Sequence, residues 1–116
     1  MSTESCPFCQ IVRGEASATI IHRDETVVAF RDIQPVAPTH VLIVPTKHLN
    51  SVHELQDGDG GLLGKMLALA CDLAAREGLE AGGYRLVINT GADAGQSVYH
   101  LHMHLLGGRR MHWPPG

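Results

Sequence analysis

The chain has few aromatic side chains, two Phe, two Tyr and one Trp in 116 residues, which leaves its core to aliphatics and alanine. It has no basic excess either. A formal charge of −3 provides no cationic surface for nucleic acid or an acidic membrane, although a few local donors would suffice for a small anion. No apolar run approaches the roughly 20 residues of a membrane span. The polar start Met1-Ser2-Thr3-Glu4-Ser5 is not a signal peptide, so the expected location is cytoplasmic. Cysteine is limited to Cys6, Cys9 and Cys71, an odd count that is poor material for a disulfide framework. No Gly-x-Gly-x-x-Gly, P-loop lysine, internal repeat or linker is present, and the length fits one domain, residues 1–116.

What is present centres on His100-Leu101-His102-Met103-His104-Leu105-Leu106. An extended strand sends successive side chains to opposite faces, so the histidines share one face and Leu101, Met103 and Leu105 the other. The aliphatic face reads as core. Three imidazoles in a row can bind a metal, buffer protons or supply a nucleophile with supporting partners. A merely solvated strand would be served by lysine, threonine or glutamate, none of which titrates near neutrality.

Around this stretch the chain reads as an α+β fold. Cys6-Pro7-Phe8-Cys9 is a Cys-x-x-Cys pair that fits a redox dithiol, half of a zinc site, or neither; only five polar residues precede it, which disfavours a thioredoxin-like setting. A short helix is predicted over Phe8–Arg13, ended by Gly14. Thr19–His22 and Val27–Phe30 read as a hairpin, and the two prolines after Asp32 predict an irregular loop that fixes that carboxylate. His40–Val44 is an interior strand, apolar almost throughout. A long helix runs from about Leu62 to Arg76 and stops at Gly78, with Leu62, Leu63, Met66, Leu67, Leu69, Ala70, Leu73 and Ala74 as its core stripe and Cys71 as a small buried hydrophobe. Tyr84–Asn89 is the fourth strand. The loop Thr90–Ser97 fits either an ordinary hairpin connection or a phosphate cradle, since Gly91 and Gly95 allow close main-chain approach and Ser97 adds a hydroxyl. The architecture expected is a five-stranded, mainly antiparallel sheet with both helices on one side. The apolar tail through Trp113 is expected to be buried, with a partner subunit as its natural cover.

The pattern His100-x-His102-x-His104-x-x, with hydrophobic x, resembles that of the histidine triad (HIT) superfamily of nucleotide hydrolases and transferases. Asp32-Ile33, Ala37–His40, Asn89, Gly95–Tyr99 and the tail Gly107–Gly116 further resemble its nucleoside phosphoramidase branch, the histidine triad nucleotide-binding proteins. That resemblance implies a homodimer whose sheets join into one ten-stranded sheet and which binds a purine nucleotide at each site. It implies His102 as the nucleophile at the α-phosphorus, forming a nucleotidyl-histidine that water then hydrolyses. His104 would contact phosphate, and Ser97 with the Gly95, Gln96 and Ser97 amides would donate to phosphoryl oxygens. His40 would help set the protonation of the triad. Asp32 would accept from the ribose hydroxyls, Ile33, Phe8, Ile11 and Phe30 would enclose the base, and Asn89 would bind near ribose and phosphate. Trp113 would reach the other subunit's site. By the same resemblance Cys6, Cys9, His48 and His100 would hold a structural zinc, leaving His102 and His104 for substrate. A catalytic zinc held by all three triad histidines is the competing arrangement. Other activities open to such a chain are dinucleoside polyphosphate hydrolysis and non-enzymatic nucleotide binding.

Overall fold

A computed structural model describes residues 3–116; Met1 and Ser2, which open the N-terminal segment read above for targeting, lie outside the described residues. The elements are α1 (Pro7–Val12), β1 (Ile20–Arg23), β2 (Val27–Arg31), β3 (Thr39–Pro45), α2 (Gly60–Arg76), β4 (Tyr84–Val87) and β5 (Met103–Gly107), with three short 3-10 turns between them. The strands form one five-stranded sheet in the order β1-β2-β3-β5-β4, and every neighbouring pair is antiparallel. β3 is buried along its whole length, as its continuous apolar run requires of a strand covered on both faces.

The helices do not share a side. Val27, Ala29, Val41, Ile43, Met103 and Leu105 pack with Met66, Leu69, Ala70, Leu73 and Ala74 of α2. The alternate residues Val28, Phe30, Leu42 and Val44 pack with Cys6, Phe8 and Cys9 at α1. The period-2 alternation of the central strands thus serves two cores, one per face. Leu67 is 45% exposed and Cys71 is exposed, so the outer flank of α2's apolar stripe lies outside the core, contrary to the sequence reading. Gly14 and Gly78 end their helices with φ of 76° and 75°, the left-handed conformation that favours glycine.

The histidine stretch is only half a strand. Leu101 joins Met103 and Leu105 in the α2-side core, as the alternation predicts, but the ladder begins at Met103. Pro45, the last residue of β3, has no N–H, its carbonyl accepts from the His100 ring (2.9 Å), and Leu101 N–H donates instead to Leu49 O (2.6 Å). At the other end of β5, Gly108 has φ 90°, and a Cβ there would sit 2.8 Å from Cβ of Pro38. A proline ring cannot swing aside, so Gly108→Ala is expected to cost about 2–4 kcal/mol by urea denaturation; an unchanged midpoint would contradict this packing.

Candidate active site and metal centre

β3 and β5 place His40 and His104 on the α1 face, opposite Val41, Ile43, Met103 and Leu105. Their protonation follows from what each ring nitrogen meets. Val36 N–H donates to His40 Nδ1 (3.1 Å), so the His40 proton sits on Nε2. That Nε2–H donates to His104 Nδ1 at 2.9 Å, with Asp32 Oδ2 at 3.4 Å as a second acceptor. His104 therefore carries its own proton on Nε2. His102 Nδ1–H donates to the carbonyl of His100 (2.7 Å), which leaves the lone pair on Nε2. A nucleophilic nitrogen and an N–H donor stand on neighbouring rings whose centroids are 5.0 Å apart.

Burial keeps these rings neutral. It lowers the basicity of His40 and His102 below the usual imidazole range and pushes His104 down to about 4, helped there by the positive charge that His102 and His40 would carry. Between pH 6.5 and about 4 the unfolded chain accepts a proton at His104 that the folded chain refuses, so folding stability should fall as pH drops through that window and His104 should add nothing further below it. A denaturation midpoint constant across the window would contradict these burial effects.

His102 and His104 border a pocket of about 340 Å³, also lined by Phe8, Ile11, Phe30, Asp32, Ile33 and Ser97, while His40 stands behind His104 outside the lining. All of these were expected at one site. Leu42, Ala18, Val98, Ser17 and Gln34 line it as well and were missed; Leu42 was legible in principle, as the residue opposite His104 in a β3–β5 pairing. Phe8 meets His102 edge-on at 5.1 Å and Phe30 at 5.5 Å, continuing the apolar wall from the chemistry outward.

The Gly95–Ser97 loop is more self-contained than a free phosphate cradle. Gly95 N–H donates to Ala92 O and Gln96 N–H to Gly91 O, so a phosphoryl oxygen would have to share these amides with the turn. Gln96 is buried; its Oε1 accepts from Gly91 N–H and its Nε2 donates to Asn50 O and Val98 O, which makes it a brace for the loop. Of the loop's three residues only Ser97 lines the pocket, and it makes no hydrogen bond to a described residue. Asn89 lies away from this pocket, in a cleft of about 680 Å³ with Asp93, Arg109, His112 and Pro114. Trp113 is 82% exposed on this chain, not buried.

Behind His102 lies a second constellation. Cys6, Cys9, His48 and His100 present one donor atom each within 4.8 Å of one another. His100 Nε2–H donates to Pro45 O and His48 Nε2–H to Asn50 Oδ1, which turns both Nδ1 lone pairs towards the sulfurs. The sulfur–nitrogen separations of 3.1, 3.4 and 3.5 Å come close to the ~3.6 Å of a tetrahedral zinc with thiolate and imidazole ligands. The donor set fits a closed Cys₂His₂ zinc, with the orienting Asn50 missed by sequence reading. Burial, and then the hydrogen bond and charge of Cys6, push the Cys9 thiol up to about 11, so zinc uptake at neutral pH would have to displace its proton. His100 thus faces the cysteines, and the three triad histidines do not converge on one ion. Asp32, His40 and His104 also cluster, but the proton on His40 Nε2 makes that group a hydrogen-bond relay.

Residues 13–111 match the HIT domain family. The chain belongs to that family. It is 45% identical over 106 residues to a protein named purine nucleoside phosphoramidase from Escherichia coli (strain K12), covering 91% of this chain and 89% of that one. To the 14 kDa zinc-binding protein of Zea mays it is 49% identical over 111 residues, 94% of this chain and 86% of that protein. Among solved structures, a HIT family hydrolase from Legionella pneumophila Philadelphia 1 superposes with a TM-score of 0.95 at 52% identity, covering 97% of this chain and all of the other. The five-stranded antiparallel sheet with one long helix is therefore the HIT fold.

Proposed function

We propose that this HIT-family chain is a purine nucleoside phosphoramidase, hydrolysing the P–N bond of nucleoside 5′-phosphoramidates to a nucleoside monophosphate and an amine. The observation that carries the reading is the pair of tautomers, with the His102 Nε2 lone pair and the His104 Nε2–H on adjacent rings at the end of an apolar pocket. In the first step His102 Nε2 attacks the α-phosphorus. The P–N bond to the leaving group breaks, and the departing nitrogen takes the bonding pair together with the His104 proton. In the second, water attacks the same phosphorus, its proton returns to His104, and the bond to His102 breaks to release the monophosphate. Ser97 donates to the phosphoryl oxygens, Asp32 accepts from ribose, and Phe8, Ile11, Phe30 and Ile33 hold the base.

The same reading assigns a homodimer joined through the free edge of β4 into one ten-stranded sheet, supported by the edge position of β4 and by the exposed Tyr84 on it. Trp113 and Asn89 then act near the partner's site, where their distance from this pocket is no obstacle. Zinc at Cys6, Cys9, His48 and His100 would cross-link α1 to the segments flanking the sheet; the free cysteines fit a reducing compartment, the cytoplasm. Among the described residues no helix is long and apolar enough to cross a membrane.

The deciding assay compares a tryptamine phosphoramidate of AMP with diadenosine tetraphosphate. The phosphoramidate should be turned over at least about tenfold faster in kcat/KM, a difference of roughly 1.4 kcal/mol in transition-state binding. Faster tetraphosphate hydrolysis would make the chain a polyphosphate hydrolase, and binding without turnover of either would make it a nucleotide-binding protein.

A further inference from the structure

We propose that Ser17 reads the substituent at C6 of the purine and so sets base preference, an inference that rests on the nucleotide reading above. The argument is one of register. Ile20 pairs with Phe30, Phe30 with Leu42, and Leu42 with His104, so these four residues form a single cross-strand row from β1 to β5 on the α1 face. Three strand spacings of about 4.8 Å make the row ~14 Å long. Phe30 and Leu42, in the middle of the row, line the pocket, as does His104 at one end.

Polar groups are distributed unevenly along this row. His102, His104 and Ser97 mark the phosphate end, and Asp32, which directly follows β2 and approaches His40, marks a station further on. At the β1 end the wall is Ile11, Ala18 and Phe30, with Ala18 packed on the Phe8–Phe30 cluster. Ser17, next to Ala18, brings a hydroxyl to this lining, whereas Arg31, which also lines the pocket beside Thr19, has its guanidinium engaged by Glu77. Its hydroxyl makes no hydrogen bond to a described residue, and the residue is exposed, so neither packing nor capping accounts for a serine at this position.

A mononucleotide laid along the row with its phosphate at His102 and its ribose at Asp32 carries the base towards β1. Its far edge, where C6 bears an amino or keto group, comes to Ser17. A hydroxyl both donates and accepts, so it can serve either substituent, and it offers nothing to a purine bare at C6. Ser17 is thus a specificity-determining group for 6-substituted purines as a class.

The test is equilibrium binding of AMP, and separately of purine riboside 5′-monophosphate, which has hydrogen at C6, to the full chain. One hydrogen bond between neutral groups predicts that the wild type favours AMP about two- to tenfold. Ser17→Ala should bind the two ligands equally, and Ser17→Thr should restore the preference. An AMP preference that survives Ser17→Ala, or a wild type with none, would overturn the assignment of Ser17 while leaving the nucleotide site standing. Failure of the wild type to bind either ligand would overturn the assignment and the nucleotide reading together.

Discussion

Replacing His102 with alanine should lower turnover of a nucleoside phosphoramidate by about 10⁴-fold or more, because removing a nucleophile closes the covalent route and leaves only the residual effects of binding and charge. AMP affinity should change only a few-fold. Ile11, Phe30 and Leu42 continue to line the pocket when the His102 ring is removed, and ground-state binding is separate from what the ring does in the transition state. His104→Ala should be milder and should depend on the leaving group. A strongly basic amine needs the His104 proton, whereas a leaving group that departs as a stable anion does not, so the defect should shrink with the latter. Turnover within tenfold of wild type in His102→Ala would remove His102 from the nucleophile's role.

The second large effect concerns the metal. Protein purified without chelator should carry one equivalent of zinc, and Cys9→Ser should carry little. The variant's thermal midpoint should fall by about 10 °C or more, since binding energy at a site absent from the unfolded chain is folding energy. Chelation should lower the wild-type midpoint in the same way and leave the variant unmoved. The catalytic defect should be smaller than the stability defect, because His102 and His104 are not ligands. His100 links the two sites: its ring faces Cys6 and Cys9 while its carbonyl holds the His102 proton. Loosening the metal should therefore blur the tautomer of His102 without removing it. Metal-free wild type with an unaltered midpoint would contradict the zinc assignment.

The two faces of the histidine stretch were legible in the sequence because alternation is a strong signal. His102 and His104 with Leu101, Met103 and Leu105 between them divide cleanly by face, and the structure keeps that division even where the ladder has stopped. Gly14 and Gly78 were readable for a similar reason, since each ends a helix with a backbone few other residues adopt. The side on which α1 packs was not readable. Both faces of β2 and β3 are apolar, so periodicity offers α1 either one, and only the meeting of Cys6 and Cys9 with His100 decides.

Cys71 and Leu67 were misplaced because a helical apolar stripe wider than its contact with the sheet leaves a flank uncovered. Asn50 and Gln96 show a further limit. Their roles are hydrogen bonds to particular atoms, His48 Nε2 in one case and the carbonyls of Asn50 and Val98 in the other, and no spacing rule announces such pairs. The loop amides of Gly95 and Gln96 illustrate the same point, since glycine spacing advertises main-chain access but not whether the turn has already engaged the donors.

The most direct measurement is rapid acid-free quenching of the wild type during turnover of an adenosine phosphoramidate, followed by intact mass and peptide mapping. The mechanism predicts a transient mass increment of one adenylyl group, localised to His102 and absent from His102→Ala. Turnover with no adduct under conditions that preserve phosphohistidine, or an adduct on another residue, would contradict it.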